Sequence, residues 1–257
     1  MKILVVEDKE MHRQSARDSL AGHDVTIVDS FDAAMGLMAK KIDDENVTRL
    51  MTEAGFPATP DRNGGDEEWK AFWKAHREAE AKSVVPFPFD VVLTDMMMPM
   101  SRQTLASEAY HPAEQVPYGF IIALKAAKVG AKFVAMVTDT NHHKGAMSAA
   151  IDHLGTSYYR EGFKPNFGVN GAKVMFVHTP FYREVLGQKD CEYCYGSGKC
   201  QYCHGSGQRH DEYVDGECNG CHEDVGKCRT CKGTGKQDDV RQDRKDWGQV
   251  LADLTAE

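Results

Sequence analysis

Residues 89–95 read Phe-Asp-Val-Val-Leu-Thr-Asp, and Met96-Met97-Met98-Pro99 follow. A short, nearly unbroken apolar run of this kind is expected of a strand buried on both faces, as in a parallel sheet. The pattern predicts a strand over 89–94 with Asp95 at its carboxyl end. Toward the N-terminus, Lys2-Ile3-Leu4-Val5-Val6 is a second such run, and Glu7 and Asp8 follow it. Lys9–Ala21 suits a helix and Asp24–Val28 a strand. Phe31–Lys41 suits another helix, with Phe31, Ala34, Met35 and Met38 at helical spacing. Toward the C-terminus, Gly119–Lys128 reads as a helix and Ala131–Val137 as a buried strand ending in Thr138. Lys144–Leu154 reads as a helix and Lys173–Val177 as the last strand. Strands alternating with helices predict an α/β fold on a parallel sheet.

Between the second helix and the 89–94 strand lies a polar stretch from about Asp43 to Pro88, with a Pro/Gly/Asn/Asp-rich middle that reads as loop. Asp66–Lys82 is predicted helical, with Trp69, Phe72, Trp73 and His76 spaced i, i+3, i+4, i+7. That stripe either packs on the domain itself or offers a face to a partner. The 257 residues allow one domain with a substantial core plus a smaller module. A formal charge of −8 argues against coating nucleic acid. No apolar run approaches the roughly 20 residues of a membrane span. The first residues turn acidic too early for a secretory signal, so a cytoplasmic protein without a membrane role is expected.

In an open parallel sheet, ligands bind beyond the carboxyl ends of the strands. Glu7, Asp8, Asp95 and Thr138 all fall at such ends. Three converging carboxylates repel one another unless a hard cation neutralises them, and Mg2+ accepts carboxylates, carbonyls, water and phosphoryl oxygens. A carboxylate can also serve as a nucleophile and form an aspartyl-phosphate.

The set Val5-Val6-Glu7-Asp8, Leu93-Thr94-Asp95-Met96-Met97-Met98-Pro99 and Val137-Thr138, in that order, resembles the receiver domain of response regulators. The resemblance covers about residues 1–186, with insertions at about 43–88 and 155–170. It implies a doubly wound, five-stranded parallel sheet of order 2-1-3-4-5. By the same resemblance Asp95 is the phosphorylated residue. Asp8 is the direct Mg2+ ligand, Glu7 acts through water and the Met97 carbonyl is the main-chain ligand. Thr138 contacts the phosphoryl group, and Phe176 falls near the aromatic switch. A sensor histidine kinase or a small phosphodonor is the implied partner. Enzyme activity, if any, is confined to Mg2+-dependent self-phosphorylation and dephosphorylation at Asp95. The family places a Lys before a Pro at the end of the last strand. Here that slot holds His178 or Thr179, with Lys164-Pro165 as a rival placement. Neither His178 nor Thr179 is a permanent cation, so an idle pseudo-receiver is the competing expectation. Asn141-His142-His143 lies on the same rim and reads as solvated loop.

All eight cysteines fall late in the chain, in four C-x-x-C pairs: Cys191/Cys194, Cys200/Cys203, Cys218/Cys221 and Cys228/Cys231. Three pairs continue as C-x-x-C-x-G-x-G, whereas the third lacks the glycines in register. Two CxxC turns supply one closed tetrahedral zinc site, so eight cysteines predict two Zn2+ ions. The segment 190–236 is similar to the cysteine-rich domain of DnaJ-type chaperones. That resemblance implies that the first pair joins the fourth and the second joins the third. Only five residues separate Cys194 from Cys200, which loosely favours such nesting. From Lys189 to Lys236 there are seven Lys/Arg against eight Asp/Glu, which speaks against nucleic acid and leaves a protein partner as the expectation. A zinc-dependent chaperone-like binder is a third function class. The tail 237–257 is predicted to end in a helix, with Trp247, Val250, Leu251 and Leu254 at i, i+3, i+4, i+7. It serves either core docking or a partner contact.

Overall fold

The structure is a computed structural model describing residues 1–57, 59–60, 65–101, 103, 110–111, 113–139, 162, 164–165, 167–210, 215–218, 221 and 225–256. The expected helix at Lys144–Leu154 and the Asn141-His142-His143 segment lie outside the described residues. The chain divides into two compact units. One comprises Met1–Pro180 together with Lys245–Glu257, and the other Phe181–Arg244.

The first unit is built on a six-stranded sheet. Its strands are β1 (Lys2–Val6), β2 (Asp24–Val28), β3 (Val91–Asp95), β6 (Phe133–Thr138), β7 (Phe167–Val169) and β8 (Ala172–His178). They lie in the order β2-β1-β3-β6-β8-β7, and every neighbouring pair is parallel except β7–β8. The expectation of five strands is corrected to six. Part of the segment read as an insertion at 155–170 forms β7, which turns back through Asn170 and Gly171, both at positive φ, to pair with β8.

The apolar runs divide by alternation, as a sheet buried on both faces requires. Leu4, Val6, Val92, Val134, Met136, Val174 and Phe176 face one core. Ile3, Val5, Val91, Leu93, Ala135, Val137, Met175 and Val177 face the other. The first core is covered by α2 (Phe31–Leu37) and α5 (Tyr118–Val129). The second is covered by α1 (Glu10–Ser19) and by the last helix, α6 (Trp247–Thr255). Trp247, Val250, Leu251 and Leu254 are all buried there, so the C-terminal stripe docks on its own sheet.

The polar stretch before β3 holds two helices, α3 (Asp44–Glu53) and α4 (Asp66–Lys82), packed on each other. Val47, Met51, Phe72 and Ala79 form their small shared core. Phe72 of the aromatic stripe is therefore internal, while Trp69 remains exposed. Short strands β4 (Met98–Pro99) and β5 (Gln115–Val116) pair after β3.

The second unit consists of a ribbon, a hairpin and the CxxC turns. Strands β9 (Phe181–Asp190) and β12 (Lys236–Lys245) pair with each other, and β10 (Gln208–His210) pairs with β11 (Asp215–Glu217). The predicted tail from 237 thus starts as a strand, and its helix begins only at Trp247.

Candidate functional site

β1 and β3 are adjacent and in parallel register, with Val6 opposite Thr94. The residues just past each strand end therefore meet. Glu7, Asp8 and Asp95 each bring a carboxylate oxygen within 4.8 Å of the others. Gly119 opens α5 beside this point: a Cβ there would lie 2.4 Å from the Asp95 carbonyl oxygen and 2.7 Å from the Met96 Cα. Glycine is what lets the helix rest on the end of β3, and its N–H donates to the Met96 carbonyl at 3.0 Å.

Glu7 and Asp95 are 0% and 2% exposed, and at their centre stands a residue that the sequence reading did not place there. The Lys245 ammonium, itself 0% exposed, lies 2.7 Å from Glu7 Oε2 and 2.8 Å from Asp95 Oδ1. Its backbone is fixed on several sides. The Lys245 carbonyl accepts from Ser15 Oγ at 2.6 Å, and its N–H donates to His12 Nδ1 at 3.2 Å. Next to it, Asp246 N–H donates to the Pro180 carbonyl at 2.8 Å, and Trp247 Nε1–H to the His12 carbonyl at 3.0 Å. Because His12 Nδ1 accepts, its proton sits on Nε2, which faces Asp139 Oδ2 at 3.3 Å. Lys9 closes the rim with an ion pair to Asp139.

One ammonium among three carboxylates leaves a formal charge of about −2 in a largely buried space. Burial raises Glu7 to about 7 against the opposing pull of Lys245, with Asp95 adding to the rise. Burial also raises Asp95, again opposed by Lys245 and reinforced by Asp139 and Asp8. For Lys245, burial disfavours the charge, but the Asp95, Glu7 and Asp139 carboxylates outweigh it and hold the ammonium above its ordinary range. Burial works against the Asp139 charge too, yet the His12 hydrogen bond, the Lys245 charge and Lys9 keep it well below the usual carboxylate range. The central carboxylates remain under-neutralised. Asp8 Oδ1, moreover, is buried with no hydrogen-bond partner among the described residues. An all-oxygen donor set with an orphan carboxylate oxygen fits a hard divalent cation better than it fits itself.

The other predicted residues flank this cluster. Thr138 is buried at the end of β6, one residue past the Asp95–Val137 pairing. Met97 is half-buried just beyond Asp95. His178 is half-buried at the end of β8, in register with Thr138. Thr179 donates its N–H to the Thr138 carbonyl at 2.8 Å, but its hydroxyl turns to the Pro180 carbonyl, also at 2.8 Å. Lys164 is exposed, unlike the cluster. Phe176 is buried and stacks on Phe120 with ring centroids 5.9 Å apart. The ammonium that stands beside Asp95 is that of Lys245, two residues before α6, and not a side chain at 178–179 or 164. The amphipathic Trp247–Leu254 stripe was the available signal: a helix that docks on the sheet after its last strand makes the residues preceding it neighbours of that strand's end.

The cysteines form two groups of four, Cys191/Cys194/Cys228/Cys231 and Cys200/Cys203/Cys218/Cys221, so the first pair joins the fourth and the second joins the third. Sulfur–sulfur distances are 3.7 Å for Cys191–Cys228, Cys194–Cys231 and Cys200–Cys218, and 3.2 Å for Cys203–Cys221. A zinc ion about 2.3 Å from four tetrahedral sulfurs sets them about 3.8 Å apart, so both groups are compatible with zinc. Gly198, Gly207 and Gly235 each donate an N–H to the second sulfur of their pair at 3.3 Å. Burial pushes the thiols up, and hydrogen bonding within each group then splits them: sulfur and backbone donors bring Cys203 down to about 6 and Cys231 to about 7, while Cys191 rises to about 11 and Cys221 rises as well. The repeat is also conformational. Tyr195, His204 and Lys232, each after the second cysteine, share φ near +50°. A Cβ on Gly235 would sit 2.2 Å from the Gly196 carbonyl oxygen, and one on Gly226 2.3 Å from that of Gly205. Gly226 thus supplies a close approach for the third pair, which lacks the regular glycines.

Compared with known proteins, the chain matches no family model, no curated protein and no solved structure. Among the described residues no helix is long and apolar enough to cross a membrane.

Proposed function

We propose that the chain is a phosphoacceptor switch of the receiver kind, with Asp95 as acceptor and the zinc-stabilised unit as its protein-binding output. The observation that carries this reading is the buried Lys245 ammonium 2.8 Å from Asp95 Oδ1, beside Glu7 and Asp8. A sensor histidine kinase or a small phosphodonor supplies the phosphoryl group. Asp8, Asp95 and the Met97 carbonyl would hold Mg2+, with Glu7 acting through water, and the ion would neutralise charge on the incoming group. An Asp95 carboxylate oxygen attacks phosphorus, and the bond from phosphorus to the donor's leaving atom breaks, its electron pair departing with the donor. Lys245 stands where an added dianion needs a permanent cation, and Thr138 offers a hydroxyl on the neighbouring strand end. Lys245 also weakens the case for an idle pseudo-receiver, because it fills the position that His178 or Thr179 left without a charge.

For the output, Tyr193 and Tyr195 stand exposed beside Cys194, Tyr195 at 87%. Exposed rings on a rigid metal turn suit protein recognition at low entropic cost.

Titration with Mg2+ and beryllofluoride tests the reading by amide NMR. Shifts around Asp95 and Thr138 in the wild-type chain, absent in Asp95→Asn, are expected. A wild-type chain with zinc loaded that ignores both reagents at millimolar levels would leave only a scaffold.

A further inference from the structure

The cysteine unit occupies an unusual place in the chain. It does not follow the sheet unit; it interrupts it, leaving at Pro180 and returning at Lys245. The point of return is the cation of the acidic cluster. Pro180 and Asp246 are joined by a 2.8 Å backbone hydrogen bond, so the two ends of the inserted unit must be held together for Lys245 to stand in place. Resting on the switch reading above, we propose that zinc loading of the cysteine unit controls assembly of the acceptor site, by fixing the loop end that delivers Lys245.

The argument rests on what holds each part. Among the described residues of the inserted unit, the buried side chains are the eight cysteines, with no apolar cluster beside them. Such a unit depends on its metal for folding. With zinc bound, β9 and β12 pair, Cys191 N–H donates to the Gly235 carbonyl at 2.8 Å, and the chain comes back beside its point of departure. Without zinc, the same roughly 60 residues become a flexible loop whose ends must be closed each time Lys245 and α6 dock. Closure probability falls as about the three-halves power of loop length, so the docked state is disfavoured by up to a few hundred-fold. Lys245, His12, Ser15 and Trp247 then separate together, because the hydrogen bonds that seat Lys245 all involve residues 245–247. Thiol oxidation removes the same ligands and acts in the same direction.

The two cysteine groups are not equivalent in this scheme. Cys191/Cys194 directly follow β9 and Cys228/Cys231 shortly precede β12, so this outer group clamps the open end of the ribbon. Cys200/Cys203/Cys218/Cys221 closes only the inner part of the loop. Loss of the outer group frees the ribbon ends, whereas loss of the inner group leaves them clamped.

The experiment uses the full chain in a Trp69→Phe/Trp73→Phe background, which leaves Trp247 as the reporter. Zinc content, Trp247 emission and Mg2+/beryllofluoride affinity are measured for this protein, for Cys191→Ser/Cys228→Ser and for Cys200→Ser/Cys218→Ser. The outer variant is expected to shift Trp247 emission to the red and to weaken affinity tens- to hundreds-fold. The inner variant should change either by less than about threefold. Outer and inner variants with equal effects, or an outer variant that has lost its zinc with emission and affinity unchanged, would overturn the coupling. Should the zinc-loaded parent bind no beryllofluoride at all, the phosphoacceptor reading fails, and Trp247 emission alone still decides whether zinc seats Lys245.

Discussion

The two units of this chain are held together by opposite means. The sheet unit buries continuous apolar strands under helices on both faces, and that surplus lets it keep three charged groups, Glu7, Asp95 and Lys245, out of water at one strand end. Among its described residues the cysteine unit shows no such surplus; what is buried there is sulfur and glycine. A hydrophobic core tolerates a costly polar site, while a unit without one must take its folding energy from the ligand it binds. Metal removal breaks this comparison most forcefully. Hydrogen exchange after zinc chelation should show the Cys191, Cys200 and Cys228 amides losing essentially all protection, while β1, β3 and β6 keep theirs. Retained protection at Cys191, Cys200 and Cys228 would mean that the cysteine unit has a core of its own.

The next largest effect lies inside the sheet unit. Lys245→Met removes the one cation from between Glu7 and Asp95 and leaves two carboxylates buried against each other. Breaking a buried ion pair on one side costs about 3–5 kcal/mol, whereas replacing both partners by apolar or neutral groups costs far less. Urea unfolding at low divalent concentration should therefore show Glu7→Gln/Lys245→Met to be more stable than Lys245→Met alone. Equal stabilities would mean that the Glu7 carboxylate carries no penalty as a buried charge once Lys245 is gone.

The comparison also explains what the sequence disclosed. Strands β1, β3, β6 and β8 were legible because a parallel strand buried on both faces is an apolar run at nearly every position. Glu7, Asp8, Asp95 and Thr138 were legible because they end those runs. The cysteine groups were legible from spacing, and their pairing from a resemblance. Three features were not. Helix α3 hides in a polar stretch, since only Val47 and Met51 of its ten residues are buried. The edge strand β7 has three residues and little pattern. Lys245 was missed because the cysteine-rich segment 190–236 reads as a separate module that follows a finished domain, whereas the chain returns to its first sheet at Lys245. Composition reports what a segment is made of; which side of an insertion it belongs to depends on packing.

A smaller effect tests the close approach at the end of β3. Gly119→Ala would place a methyl carbon 2.4 Å from the Asp95 carbonyl oxygen, a backbone atom that cannot swing aside. Relief requires α5 or the end of β3 to move, at a cost of about 1–3 kcal/mol. Amide shifts at Asp95 and Met96 are expected in thermal and NMR comparison, with β1 unmoved. A neutral Gly119→Ala would place the helix farther from the strand than described.

The smallest change concerns how Lys245 is mounted. His12 joins three partners: Nδ1 accepts from Lys245 N–H, Nε2 faces Asp139, and its carbonyl accepts from Trp247 Nε1. The last contact uses backbone and survives any substitution. His12→Leu therefore removes only the side-chain contacts, leaving a buried Lys245 N–H without an acceptor at a cost of about 1–3 kcal/mol. His12→Gln offers an amide oxygen to that N–H and an amide N–H to Asp139, so it should recover part of the loss. Because His12 touches none of the three cluster carboxylates, its main effect on divalent affinity passes through Lys245, and Asp139, whose charge also bears on Asp95, is the other route. In a Lys245→Met background, exchanging His12 for Leu should leave divalent affinity where Lys245→Met alone puts it. A further drop there would mean that His12 acts on the carboxylates by a route other than the backbone of Lys245.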